Sequence, residues 1–166
     1  WSAVQDHKGY IDIFTDSHGT CFDLYFPASR ELPDDEDEET TTEDLLGNGQ
    51  KILIIDDEDI QRDIAAIMLK RLAYTPASVA SGAEALSFLE NNKVDLLVLD
   101  MIMPGMNGRE TYERIIALHP GQKAVIATGF SETDEVRKTQ KMGAGAFIKK
   151  PYTLNQLGKA VKIELE

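Results

Sequence analysis

Four apolar runs in this chain end on residues able to handle a phosphoryl group. Residues 51–55 lead into Asp56-Asp57-Glu58, residues 96–99 into Asp100, residues 123–127 into Thr128-Gly129, and residues 146–149 into Lys150-Pro151. Carboxylates gathered within a few ångströms repel one another, so either one keeps its proton or a cation stands among them. An oxygen donor set with places left for water suits Mg2+. A lysine beside it offsets phosphoryl charge, and a threonine hydroxyl hydrogen-bonds a phosphoryl oxygen. Singly, each residue has an ordinary structural use. Lys150 is a solvated cation, Thr128 a turn residue, Asp56-Asp57 a helix start and Asp100 a cap. Their order, and their shared place after apolar runs, favours the chemical reading.

That placement requires a particular scaffold. From residue 51 the sequence alternates strand and helix five times. Strands are predicted at 51–55, 75–80, 96–100, 123–127 and 146–149, and helices at 60–72, 82–91, 108–118, 132–142 and 154–165. Ser81-x-x-Glu84 and Thr153-x-x-Gln156 have the form of capping boxes, and Ser131 is placed to cap the fourth helix. Regular alternation with short connections predicts a parallel sheet with right-handed crossovers, a doubly wound α/β domain with helices on both faces. Leu96–Leu99 is apolar without alternation, as in a strand covered on both sides. Neighbouring parallel strands bring their carboxyl ends together, where open α/β sheets hold ligands, so Asp56, Asp57 and Asp100 are expected to converge. In the first of these helices Ile60, Ile64, Ile67, Met68 and Leu72 line one broad face. The fourth offers only Val136 as a strongly apolar residue between 132 and 141, so it is expected to be weakly held and able to move.

Ile52-Leu-Ile-Ile-Asp-Asp-Glu58, Leu96-Leu-Val-Leu-Asp-Met-Ile-Met-Pro-Gly-Met-Asn-Gly108, Ala127-Thr-Gly129 and Gly143-Ala-Gly-Ala-Phe-Ile-Lys-Lys-Pro-Tyr152 together resemble the response-regulator receiver domain over residues 51–166. The resemblance implies a flavodoxin-like five-stranded sheet of strand order 2-1-3-4-5. It implies that Asp100 is the phosphoacceptor, attacking the phosphorus of a phosphohistidine in line. Asp57 would bind Mg2+ directly, Asp56 through water, and the backbone carbonyl of Ile102 would join Asp100 in completing the metal shell. Lys150 matches the family lysine, and its bond to Pro151 is commonly cis in the family. Thr128 and Phe147 match the switch pair, with Phe147 lacking the hydroxyl of the commoner tyrosine. Ile102 and Phe130 flank the phosphoryl position; neither can orient a hydrolytic water, so a slowly hydrolysed phosphoaspartate is expected. The implied partners are the phosphohistidine of a kinase dimerisation domain and a histidine phosphotransfer protein, with a homodimer through the fourth helix, fifth strand and fifth helix as a further expectation.

Upstream, residues 10–15 and 20–26 read as two strands joined by the turn formers Asp16 to Gly19. Phe22, Leu24 and Phe26 alternate with Cys21, Asp23 and Tyr25, the pattern of a half-buried strand. A lone hairpin is marginal in water, so this one is expected to need something to pack on. Val4, His7, Gly9-Tyr10-Ile11, Gly19-Thr20-Cys21-Phe22 and Leu24-Tyr25-Phe26-Pro27 resemble the last strands of a histidine-kinase ATP-binding domain. That family's nucleotide-binding boxes lie upstream of such strands and are not in this sequence. The implied layout is a truncated catalytic end at 1–30, an acidic linker at 31–50 and a receiver at 51–166. It is the layout of a hybrid sensor histidine kinase, whose phosphotransferase activity these residues would not themselves carry.

The net charge of −12 is unevenly placed, with −11 over residues 1–50 and −1 over residues 51–166. No basic stripe marks a direct nucleic-acid partner. A single cysteine, Cys21, excludes an internal disulfide framework and suits a reducing compartment. No apolar run approaches the ~20 residues that span a bilayer. No secretory signal opens the sequence. The expectation is a cytoplasmic piece of a parent anchored, where it is anchored at all, through other regions. His7, His18 and His119 sit in strand-like or loop contexts, so none is expected to be the phosphodonor. The competing reading, a non-phosphorylated receiver-like interaction module, predicts a degraded acidic pocket. A phosphoaspartate hydrolase would need a substrate cap after Asp100, and no insertion there is long enough.

Overall fold

The computed structural model describes residues 4, 8–17, 19–27, 41–129 and 134–166, in two compact units that divide between Glu39 and Thr40. His7, His18, the acidic run 34–39, Phe130, Ser131 and the expected helix start at 132 lie outside the described residues.

In the first unit β1 (Tyr10–Asp16) and β2 (Gly19–Tyr25) pair antiparallel, with Tyr10 opposite Tyr25 and Asp16 opposite Gly19. Gly19 turns the chain at φ 144°, and its amide donates to Asp16 Oδ1 at 3.2 Å. Phe14, Phe22, Leu24 and Tyr25 are all exposed, so large apolar groups stand on both faces of the ribbon.

The second unit runs β3 (Lys51–Ile55), α1 (Asp59–Arg71), β4 (Thr75–Val79), α2 (Gly82–Asn91), β5 (Leu96–Asp100), α3 (Gly108–Leu118), β6 (Ala124–Thr128), α4 (Asp134–Lys141), β7 (Phe147–Lys149) and α5 (Leu154–Leu165). The sheet is parallel in the order β4-β3-β5-β6-β7, which is 2-1-3-4-5 counted from β3, as expected. Successive strand residues point to opposite faces. Ile52, Ile54, Val98 and Val125 therefore pack with Leu69, Leu157 and Val161 on one side. Leu53, Ile55, Leu97 and Leu99 pack with Leu89, Tyr112 and Ile115 on the other. The helix starts follow the sequence closely. Thr153 and Gln156 form a complete capping box, Ser81 accepts from the Glu84 amide, and Asn107 accepts from the Glu110 amide to open α3.

The expected face of α1 holds at Leu72, which is buried, and at Met68, which packs against the core, and is corrected at its isoleucines. Ala65, Leu69 and Leu72 are buried, whereas Ile60, Ile64 and Ile67 are 72%, 41% and 67% exposed. At 3.6 residues per turn the two stripes lie about 140° apart around the helix. Alanine on the inner stripe lets the helix approach the sheet closely, and the larger isoleucines are left outside.

The expected linker also needs correction at its carboxyl end. Residues 41–50 belong to the second unit, because Leu45 is buried in the core beside Leu72, Tyr74 and Leu157. The Gly47 amide donates to Leu72 O at 2.8 Å, the Gly49 amide to Ala73 O at 3.0 Å, and the Tyr74 hydroxyl to Leu45 O at 3.3 Å. On α5, a Cβ at Gly158 would lie 3.0 Å from Leu45 Cδ1, so the missing side chain makes room for the leucine. One apolar residue, with its backbone polar groups paired, is enough to seat a segment that composition marks as spacer.

Helix α4 is as lightly held as its sequence suggests. Only Val136 and Thr139 are buried on it.

Candidate functional site

The acids meet because the strands that precede them are neighbours. Ile55 of β3 is in register with Leu99 of β5, so Asp56 follows one strand where Asp100 ends the other. Carboxylate oxygens of Asp56, Asp57 and Asp100 all lie within 4.8 Å of one another, with Asp56 and Asp100 buried and Asp57 exposed. Two strands further along the sheet, β7 delivers the cation. Thr128 pairs with Lys149, and the Lys150 amide donates to Thr128 O at 2.8 Å, which fixes the lysine's backbone. Its ammonium donates to Asp56 Oδ2 at 2.5 Å and lies 3.1 Å from Asp100 Oδ2. The Lys150–Pro151 bond is cis, in line with the resemblance.

The loop after Asp100 is built as tightly. The Ile102 amide donates to Asp100 Oδ1 at 3.3 Å. A Cβ at Gly108 would come within 2.3 Å of the Asp100 carbonyl oxygen, so only glycine lets α3 begin this close to the strand end. Above the acids is an open cleft of about 350 Å³, lined in part by Glu58, Asp100, Ile102, Gly129 and Lys150.

Burial pushes the Asp100 carboxyl above its ordinary value, and nearby Asp56 adds to this, while Lys150 and the Ile102 amide oppose it. Burial would lower Lys150, yet its hydrogen bond to Asp56 and the charges of both acids carry it above the usual lysine value. The two directions conflict if Lys150 and Asp100 are treated as an isolated ion pair, which would lower the acid. They agree once the lysine is shared, because it sits closer to Asp56 and leaves Asp100 incompletely compensated.

Three carboxylates at one point, all hard oxygen donors open to solvent on the Asp57 side, fit a divalent cation such as Mg2+. Asp56, Asp57, Asp100 and Lys150 are thus brought together as expected. Thr128 is buried at the end of β6, a strand that includes it, where the sequence suggested a residue just beyond the strand. Phe147 begins β7, half-buried against the core that holds Leu99 and Ile126. Ile102 is exposed at the cleft. Phe130 lies outside the described residues.

Two residues at the site were missed by the sequence reading. Tyr152 has its hydroxyl pushed up to about 12, by burial first and then by the charges of Asp56 and Asp100. Arg62 donates from Nη1 to the Asp56 backbone oxygen at 2.7 Å. The available signal for Arg62 was its place as the first basic residue after four consecutive acids, Asp56 to Asp59.

Fold and site together define a three-carboxylate centre with one lysine at the carboxyl ends of a doubly wound parallel sheet. Residues 52–162 match the response regulator receiver domain family, and the chain belongs to it. Over its whole length the chain is 30% identical to the sensor kinase CckA of Brucella abortus, of which it spans 19%. It is also 30% identical to the sporulation initiation phosphotransferase F of Bacillus subtilis, over 68% of this chain and 91% of that one. Among solved structures, a CheY-like response regulator receiver domain protein from Methanospirillum hungatei superposes with a TM-score of 0.67 at 30% identity, covering 70% of this chain and 94% of that one.

Proposed function

We propose that this receiver domain takes a phosphoryl group from a phosphohistidine onto Asp100 and passes the signal on by a change in the surface around Thr128 and Phe147. The observation that carries this reading is the Lys150 ammonium in contact with both Asp56 and Asp100 inside a three-carboxylate cluster. An Asp100 oxygen attacks phosphorus on the side opposite the imidazole nitrogen. The O–P bond forms as the P–N bond breaks, and the electron pair returns to a ring protonated at its other nitrogen, which leaves as neutral imidazole. Asp56, Asp57, Asp100 and the Ile102 carbonyl would hold Mg2+, which would supply positive charge to the phosphoryl oxygens. Lys150 shifts its hydrogen bonding from Asp100 to a phosphoryl oxygen, and Thr128 donates its hydroxyl to another. Movement of Thr128 opens space into which the Phe147 ring turns, and the lightly buried α4 beside it is free to follow. Ile102 and Phe130 offer no hydrogen bond to an attacking water, so the acyl phosphate is long-lived.

The donor docks on the exposed Ile60, Ile64 and Ile67 of α1, a helix that begins right after the acids. An apolar stripe next to a reactive cleft suits a helix that carries the phosphohistidine. The parent is a hybrid sensor kinase, whose ATP-binding domain ends at residue 30. Similarity to a sensor kinase over the full chain, and a hairpin with apolar groups exposed on both faces, support this.

The test is exposure to a small-molecule phosphodonor with and without Mg2+, read as intact mass. A Mg2+-dependent phosphoryl adduct is expected, and absence of any adduct on the folded protein would count against the proposal.

A further inference from the structure

The turn that joins β3 to α1 carries four acids in succession, Asp56-Asp57-Glu58-Asp59, and would be expected to spring apart. It also lacks the usual fastening, because Glu58 at the N-cap makes no side-chain capping bond. Arg62 takes over that task from the second turn of α1. Its side chain is only 15% exposed, with Nη1 donating to the Asp56 backbone oxygen at 2.7 Å and Nη2 paired with Asp59. Asp56 is thereby held at every polar atom. Its amide donates to Val79 O at 3.3 Å, Oδ1 accepts from the Glu58 amide at 3.0 Å, and Oδ2 accepts from Lys150 at 2.5 Å. The Asp56 carbonyl lies beyond the end of β3, so without Arg62 it would lose the partner that the structure gives it.

We infer that Arg62 is a positioning residue for the divalent-cation site: it fixes the main chain of Asp56, and with it the direction in which the Asp56 and Asp57 carboxylates point. The inference rests on the reading of the acidic cluster as a Mg2+ site. Arg62 acts from outside the cleft. It offsets acid charge through Asp59 and the Asp56 carbonyl without occupying the space a cation needs. Lys150, by contrast, binds the carboxylate oxygens themselves. Groups that orient a metal ligand from behind commonly change affinity 10- to 100-fold when removed.

Calorimetric titration of the full chain with MgCl2 tests this, comparing the parent protein with Arg62→Ala, Arg62→Lys and Asp59→Asn. Arg62→Ala is expected to weaken Mg2+ binding about tenfold or more. Arg62→Lys should recover much of the loss, since an ammonium can also donate to the Asp56 carbonyl. Asp59→Asn should change it less than twofold, because its carboxylate is exposed and screened. If Arg62→Ala does not fold, Arg62→Met, which keeps the apolar stem but has no donor, takes its place with the same expected loss. A folded Arg62 variant with lower thermal stability but unchanged Mg2+ affinity would overturn the inference and leave the cation site standing. A parent protein that binds no Mg2+ would overturn the cation site and the inference with it.

Discussion

The Lys150 ammonium stands 2.5 Å from Asp56 and 3.1 Å from Asp100, so one cation serves two buried acids unequally. Removing it leaves both acids without that cation. Breaking a buried pair by deleting one partner typically costs about 3–5 kcal/mol. Lys150→Ala is therefore expected to lower metal-free stability by roughly that amount, and added Mg2+ should restore a larger part of it than it adds to the parent protein. Denaturant unfolding in chelator and in excess Mg2+ gives both numbers; equal Mg2+ stabilisation in the two proteins would contradict the shared-cation picture.

Asp100 makes stability depend on pH in a definite direction. Its folded-state carboxyl titrates above the unfolded value, mainly through burial. The contribution is thus fully present below the unfolded value and is lost as pH rises through the folded one. Lys150, itself raised, stays charged throughout that window. In chelator, Asp100→Asn should melt higher than the parent at about pH 7, and the gap should shrink towards about pH 4. Melting curves across that range decide it; a gap that grows on acidification has the wrong sign.

Leu45 joins residues 41–50 to the core. Leu45→Ala should cost about 2–5 kcal/mol through the cavity it leaves. Gly158 provides a sharper check. Gly158→Ala should destabilise the parent, where the new Cβ would lie 2.9 Å from Leu72 Cδ1 and 3.0 Å from Leu45 Cδ1, and should be milder with Leu45→Ala, which removes the second of these contacts and leaves the first. Additive effects in this double-mutant cycle would mean that Leu45 does not fill the site.

The sheet and the acidic centre were legible because each rests on local pattern. Strand and helix spans, and the chemistry gathered at the strand ends, follow from apolar runs that end on polar residues, while the strand order 2-1-3-4-5 that makes β3 and β5 neighbours follows from the receiver resemblance. What was not legible depends on tertiary choice. Helix α1 has two apolar stripes, and hydrophobicity alone does not reveal that the one with small Ala65 meets the sheet while Ile60 and Ile67 face out. Leu45 is one leucine in a polar stretch, and its burial depends on the hole at Gly158 more than a hundred residues later. Arg62 reads as a surface helix cation until its bond to the Asp56 carbonyl is seen.

The exposed α1 isoleucines separate docking from chemistry. Replacing Ile60 and Ile67 by serine should change stability by no more than about 0.5 kcal/mol each, as for other exposed sites. Phosphorylation by a small phosphodonor should be unaffected. Transfer from a phosphorylated histidine-bearing protein domain should slow about tenfold or more, the effect of losing over 1 kcal/mol at an interface. Equal slowing with both donors would place the effect in the cleft rather than in docking.

Asp100 as the nucleophile is the centre of the proposal, and its product has a chemical signature. Borohydride reduces an acyl phosphate to the alcohol with release of phosphate, converting a phosphorylated aspartate to homoserine. After treatment with a phosphodonor and Mg2+, followed by borohydride and peptide sequencing by mass spectrometry, homoserine is expected at position 100 and nowhere else. Homoserine at position 56 or 57, or a phosphoryl adduct that persists undiminished in Asp100→Asn, would contradict it.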